Sequence, residues 1–215
     1  MDNYDRTVTF IDSLYGGNTE FLDRLEKEAK KERIPIIRRE TQRLLKLLLF
    51  GSRPKEILEI GSATGFSAIL MAQYSDAHIT TIEKYEKRFA PLKENIRASG
   101  FEKRITVLYG EALDYLEELA GEQKQFDLIF MDAAKAQYIV FLPFVLRLLK
   151  EGGILVSDNV LQDGDIIESR FAVRRRDRTI HARMREYLYE LTHNEALYTD
   201  VLSAADGMTV SVKLK

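Results

Sequence analysis

The sequence predicts an α/β protein built on a parallel, doubly wound sheet, and three observations carry that reading. Short apolar runs alternate with helical patterns from Pro54 to Gly153, the rhythm of βαβ units. Several of the runs are almost continuously apolar, as strands covered on both faces must be. The alternation then stops, and two runs at 197–203 and 208–213 are separated by the short stretch Ala204-Ala205-Asp206-Gly207, which reads as an antiparallel hairpin. Five parallel strands and a hairpin make seven strands.

In chain order, the first third is helical. Asn18 or Thr19 caps a charged helix over 20–31, and a second helix over 38–50 is closed by Gly51. The parallel strands are expected at 56–60, 78–83, 104–109, 126–131 and 153–157. Between them lie helices at 66–74, 86–99 (stopped by Gly100), 112–120 and 137–150 (stopped by Gly152-Gly153). The stretch from 160 to 196 receives no element. The expected organisation is a single domain over 1–215, with 1–53 as accessory helices.

Composition removes several kinds of function. At 215 residues, 45% hydrophobic and 31% charged, the chain is of ordinary globular type. Its net charge of -2 excludes a uniformly basic coat, though not a local basic patch. It has no cysteine, so disulfides, thiolate metal sites and cysteine nucleophiles are excluded together. The acidic start Met1-Asp2-Asn3-Tyr4-Asp5 lacks a leader pattern, and no apolar run approaches the roughly 18 residues of a membrane span. A cytoplasmic protein without a membrane partner is the expectation.

The stretch E-I-G-S-A-T-G-F-S at 59–67 lies where the first strand turns into its helix. Glycines there let a ligand approach the backbone, and the helix start offers unpaired N–H groups. Glu83 ends the next strand, about twenty residues on, where an acid binds both hydroxyls of a ribose. The spacing is E-x-G-x-x-x-G rather than the dinucleotide fingerprint G-x-G-x-x-G, which speaks against a nicotinamide dehydrogenase. Glu59 would repel phosphate and suit a cation. S-adenosylmethionine combines a ribose, an adenine, an ammonium and a sulfonium without phosphate. The loop alone favours a ligand over a mere packing turn, and Glu83 strengthens that reading.

Asp132 ends the fourth strand and Asp158-Asn159 ends the fifth. If these strands are neighbours, their backbones lie about 4.8 Å apart, and three oxygen-bearing side chains share the carboxyl edge. Two carboxylates and an amide suit a hard cation, Mg²⁺ above all. Each acid alone reads as a cap or a solvated turn residue; the joint arrangement favours metal. Lys135 begins the turn after Asp132, where a lysine near a cation acts as a base. Spacing alone allows a solvated surface lysine as well.

Together these residues resemble the cation-dependent class I O-methyltransferases, which include catechol and caffeoyl-CoA O-methyltransferases. The resemblance covers nearly the whole chain and rests on 59–67, Glu83, Glu111-Ala112, D-A-A-K at 132–135, D-N at 158–159 and D-G-M-T at 206–209. It implies a Rossmann-like seven-stranded class I methyltransferase sheet, S-adenosylmethionine as cofactor and Mg²⁺. By position, Ile36, Glu59, Gly61, Ser62 and Ser67 match the holders of the methionine part. Glu83 matches the ribose acid, and Ala112 with Glu111 beside it matches the adenine contact. Asp132, Asp158 and Asn159 match the metal ligands, Asp132 also facing the cofactor, and Lys135 matches the catalytic base. Tyr138 matches an aromatic of the family whose role is open.

A narrower resemblance is to the bacterial branch that converts 5-hydroxyuridine to 5-methoxyuridine at the tRNA wobble position. It is carried by R-R-R-D-R-T-I-H-A-R-M-R-E-Y at 174–187. Residues 168–188 contain seven arginines against three acids, and 24–46 contain nine basic residues against four glutamates. On a chain of net charge -2 that asymmetry marks a polyanion-binding face. Arg174, Arg175, Arg176 and Arg178 are the expected RNA contacts, with the tRNA anticodon region as partner. The N-terminal cluster reads as a solvated helix face. The resemblance also implies a homodimer, with the N-terminal helices as interface candidates. Competing readings are a methyltransferase of a small catechol or hydroxycinnamoyl ester, and a binding protein that keeps the fold without the catalysis.

Overall fold

The computed structural model describes residues 3–215; Met1 and Asp2, at the head of the acidic start, lie outside the described residues. Seven strands form one mixed sheet in the order β3-β2-β1-β4-β5-β7-β6. The parallel strands are β1 (Glu56–Ile60), β2 (His78–Glu83), β3 (Ile105–Tyr109), β4 (Phe126–Met131) and β5 (Leu149–Asp158). The hairpin of β6 (Leu197–Leu202) and β7 (Met208–Lys213) runs antiparallel, with β7 against β5. The chain reverses direction between β1 and β4, which makes the carboxyl edge there a crevice.

Alternate strand residues feed two cores. Ile57, Ile79, Leu128 and Phe130 meet α2 (Glu20–Glu32), α3 (Arg39–Ser52), α4 (Phe66–Gln73) and α5 (Glu86–Ser99) through Leu22, Leu45, Ile69 and Leu92. Leu58, Ile60, Ile129 and Leu155 meet α6 (Ala112–Gly121), α7 (Tyr138–Leu148) and α8 (Arg178–His193) through Leu116, Val145 and Met184. Burial on both faces explains the continuous apolar runs.

The expected strands all form, and the differences lie at ends and connections. Thr19 caps α2, its hydroxyl accepting from Leu22 N. Gly51 does not close α3. The helix runs through it to Ser52 and ends at Arg53, a left-handed cap at φ 49° whose N–H bonds Leu49 O, just before Pro54, which disfavours further helix. Gly152-Gly153 does not stop a helix either. β5 begins at Leu149, opposite Phe126, and the register jumps so that Ile154 faces Leu128. The glycines sit in that bulge, with Gly152 at φ 73°. Two helices carry no expectation: α1 (Asn3–Ser13) and α8. Among the described residues, no helix is long and apolar enough to cross a membrane.

Candidate active site

The loop after β1 is pinned to both neighbouring strands. Gly61 N donates to Ile82 O at 3.0 Å, and Asp132 N donates to Ile60 O at 3.0 Å. Gly61 has φ 95°, and a Cβ there would lie 2.3 Å from Asp132 O; no other residue fits both demands. Glu83 is buried and accepts Ala63 N at 2.7 Å on one oxygen, and Lys84 N and Tyr85 N at 2.9 and 2.8 Å on the other. Its carboxylate is therefore fixed before any ribose arrives.

Gly61, Glu83, Glu111, Ala112 and Asp132 line one crevice of about 290 Å³, closed on its far sides by Tyr85, Arg88 and Phe141. Glu59, Ser62 and Ser67 lie buried behind the loop. Ile36 is half-buried next to Pro35, which lines the crevice. Three buried oxygens of this loop have no protein partner: Glu59 Oε1, Ser62 Oγ and Thr64 Oγ1. Buried polar atoms are rarely left so, and here all three belong to the stretch that borders the crevice through Gly61 and Ala63.

The two acid-bearing strand ends are adjacent. Met131 pairs with Ser157 in parallel register, so Asp132 and Asp158 leave β4 and β5 side by side. Lys135 opens a 3₁₀ turn at Lys135–Gln137, and its Nζ donates to Asp132 Oδ1 at 2.7 Å. Asn159 takes a left-handed conformation at φ 56°, one that asparagine tolerates. Its N–H donates to Asp158 Oδ1 at 2.9 Å.

A family model for O-methyltransferases matches residues 12–214. The chain belongs to the O-methyltransferase family. A catechol O-methyltransferase of Mycobacterium tuberculosis is 32% identical over 162 residues, 74% of this chain and 73% of that one. A catechol O-methyltransferase of Niastella koreensis is 34% identical over 129 residues, 59% of this chain and 58% of that one. Among solved structures, a candidate caffeoyl-CoA O-methyltransferase from Staphylococcus aureus superposes with a TM-score of 0.87 at 31% identity, covering 99% of this chain and 100% of that one. As a family member, the chain is an S-adenosylmethionine-dependent O-methyltransferase of class I.

Electrostatics in this O-methyltransferase single out two carboxyls. Burial pushes Glu59 up to about 7, against the nearby hydroxyls of Ser67 and Thr81. Burial also raises Asp158 to about 6, helped by the negative charge of Asp132, while Lys135, Asn159 N and the Thr41 hydroxyl pull the other way. Two carboxylates in mutual repulsion, with Asn159 next in the chain, are oxygen-bearing groups that a hard dication would relieve. Among the described residues, no cluster of three His, Cys, Asp or Glu side chains could hold a metal; this set depends on its asparagine.

Some contributors had no sequence signal. Thr41, on α3, donates to Asp158 Oδ1 at 3.3 Å across 117 positions of sequence. Lys84 and Arg88 both stack on Tyr85 at the crevice rim. The arginine-rich segment divides in two. Arg174, Arg175 and Arg176 are exposed. Arg178 donates to Val173 O at 3.3 Å, Arg183 to Ala136 O at 3.0 Å and Arg185 to Ile166 O at 3.0 Å. These three hold the connection and α8 in place, so Arg178 has a structural partner besides its expected RNA role.

Proposed function

We propose that this O-methyltransferase methylates the 5-hydroxyl of 5-hydroxyuridine at the tRNA wobble position, with Mg²⁺ at Asp132, Asp158 and Asn159. The carrying observation is the bond from Arg183 to Ala136, which seats the basic segment against the turn that begins with Lys135. Arg174, Arg175 and Arg176, exposed on the stretch that leads into α8, suit a polyanionic substrate.

Asp132, Asp158 and Asn159 would hold the cation through oxygen. When bound, it supplies Lewis acidity that lowers the pKa of a coordinated hydroxyl. Lys135 Nζ takes the proton of the substrate hydroxyl. The loop at 59–67 and Glu83 would hold the methyl donor for transfer to the deprotonated substrate oxygen, and such positioning supplies much of the rate. A 5-hydroxyuracil presents two adjacent oxygens, as a catechol does, so one site serves either acceptor.

The second reading, a small catechol or hydroxycinnamoyl ester, is favoured by the names of the relatives. A neutral catechol leaves Arg174–176 without a partner, whereas a coenzyme A ester would offer phosphates. Within the same proposal the chain acts as a cytoplasmic homodimer; Phe10 on α1, Leu14 just past its end, and Leu47 and Phe50 on α3, all more than half exposed, support the interface. Mass spectrometry of tRNA nucleosides from cells with and without the gene tests the substrate. Loss of 5-methoxyuridine with accumulation of 5-hydroxyuridine is expected, and unchanged nucleosides refute it.

A further inference from the structure

Tyr138 is fully buried, and a phenylalanine would fill the same space, so its hydroxyl requires a separate explanation. That hydroxyl accepts from Lys135 Nζ at 2.9 Å. Its single hydrogen is shared between Met131 O at 2.9 Å and Asp158 O at 3.1 Å. Met131 is the last residue of β4 and Asp158 the last of β5. One oxygen thus touches the ends of both strands that carry the acids, and the lysine beside them.

We propose that Tyr138 is a positioning residue for methyl transfer: it fixes the spacing of the two acid-bearing strand ends and aims Lys135. The inference rests on Lys135 being the base and Asp132 and Asp158 the cation pair. An ammonium has three N–H positions. In Lys135 one is given to Asp132 Oδ1 and one to Tyr138 Oη. The third position has no partner among the described residues. The tyrosine thereby fixes the direction in which that third position points. Partners that orient ligands and bases in this way are commonly worth about 10- to 100-fold.

Tyr187 supplies an internal control. Its ring packs edge-on against Tyr138 at 5.4 Å, and its hydroxyl bonds Ser157 Oγ at 2.6 Å, so it shares the core without touching Lys135. Tyr138→Phe and Tyr187→Phe are compared in the full chain, on whichever acceptor the wild type methylates, a 5-hydroxyuridine tRNA or a catechol. Mn²⁺ uptake is followed separately by the electron paramagnetic resonance of the free ion. Tyr138→Phe is expected to lower kcat about 10- to 100-fold, to leave KM for S-adenosylmethionine unchanged, and to weaken Mn²⁺ uptake severalfold. Tyr187→Phe should lose comparable thermal stability and keep its kcat. Retained kcat in Tyr138→Phe, or equal loss in both variants, overturns the proposal. A wild type that takes up no Mn²⁺ refutes the metal reading instead, and the kcat difference between the variants then decides the role toward Lys135 alone.

Discussion

Two sides of the site are built differently: the loop after β1, and the connection that leads from β5 into α8. On the cofactor side the chain is locked by strand-to-strand amides, with Gly61 N on Ile82 O and Asp132 N on Ile60 O, and Glu83 holds three further backbone N–H groups. On the other side, the connection from β5 to α8 runs through short 3₁₀ turns at Gln162–Ile167 and Arg175–Asp177. It is tethered by side chains, among them His181 Nε2, 3.1 Å from Glu168 O, and Arg185 on Ile166 O. It leaves Ile167 75% and Phe171 85% exposed. The difference teaches where the fold is rigid: the loop after β1 is held by backbone hydrogen bonds formed in advance, whereas the connection is held by side chains and leaves apolar surface exposed.

Breaking the border between the two sides should have the largest effect. Asp158→Ala removes a cation oxygen, and methyl transfer should fall by about 10²–10³-fold. Calorimetric binding of S-adenosylmethionine should remain nearly intact, because the donor loop stands on β1. EDTA should act likewise and reversibly, and full activity in the chelator would end the metal mechanism. Next comes the rigid side itself. Glu83→Ala should weaken donor binding by about 1.5–3 kcal/mol, the worth of charged hydrogen bonds. It should also lower the melting temperature, since three N–H groups lose their acceptor. Unchanged binding would mean that Glu83 serves the loop alone.

Those two sides were also unequally legible in the sequence. The motif 59–67, Glu83 and the acids at 132 and 158 could be placed because each ends a strand, and strand ends were readable from continuous apolar runs. The condition left open, that the fourth and fifth strands be neighbours, is met by the pairing of Met131 with Ser157. Long-range partners were not legible. Nothing in the α3 sequence announces that Thr41 reaches Asp158, and Tyr138 was visible only as an aromatic with no assigned task. α8 went unseen because arginines at 174–185 read as surface charge, although Met184 and Tyr187 bury its inner face. Gly51 and Gly152 misled as helix stops: Gly51 lies within α3, and Gly152 sits in the β5 bulge.

A smaller effect sharpens the rigid side through pH. The folded chain holds Glu59 at about 7 against an ordinary 4.5, so it binds an extra proton between those values. The contribution is present below the ordinary value and is lost as pH rises through about 7. Stability of the unliganded protein should therefore fall across that window, by at most about 1.4 kcal/mol per pH unit. Glu59→Gln should remove the slope in denaturant titrations at pH 5 and 8; an unaltered slope assigns it elsewhere. The smallest change expected is on the open side. Reversing charge at Arg174, Arg175 and Arg176 should raise KM for tRNA by about tenfold at low salt, with kcat at saturation unchanged. A variant indifferent to salt and equal to wild type would make that segment a solvated face.

The substrate claim is tested most directly by competition in one vessel. The protein is given S-adenosylmethionine, Mg²⁺, an anticodon stem-loop bearing 5-hydroxyuridine, and a free catechol at the same concentration, and both products are weighed by mass spectrometry. The account predicts 5-methoxyuridine in the RNA well ahead of any methylated catechol, with both abolished by EDTA. Methylated catechol beside untouched RNA would contradict it.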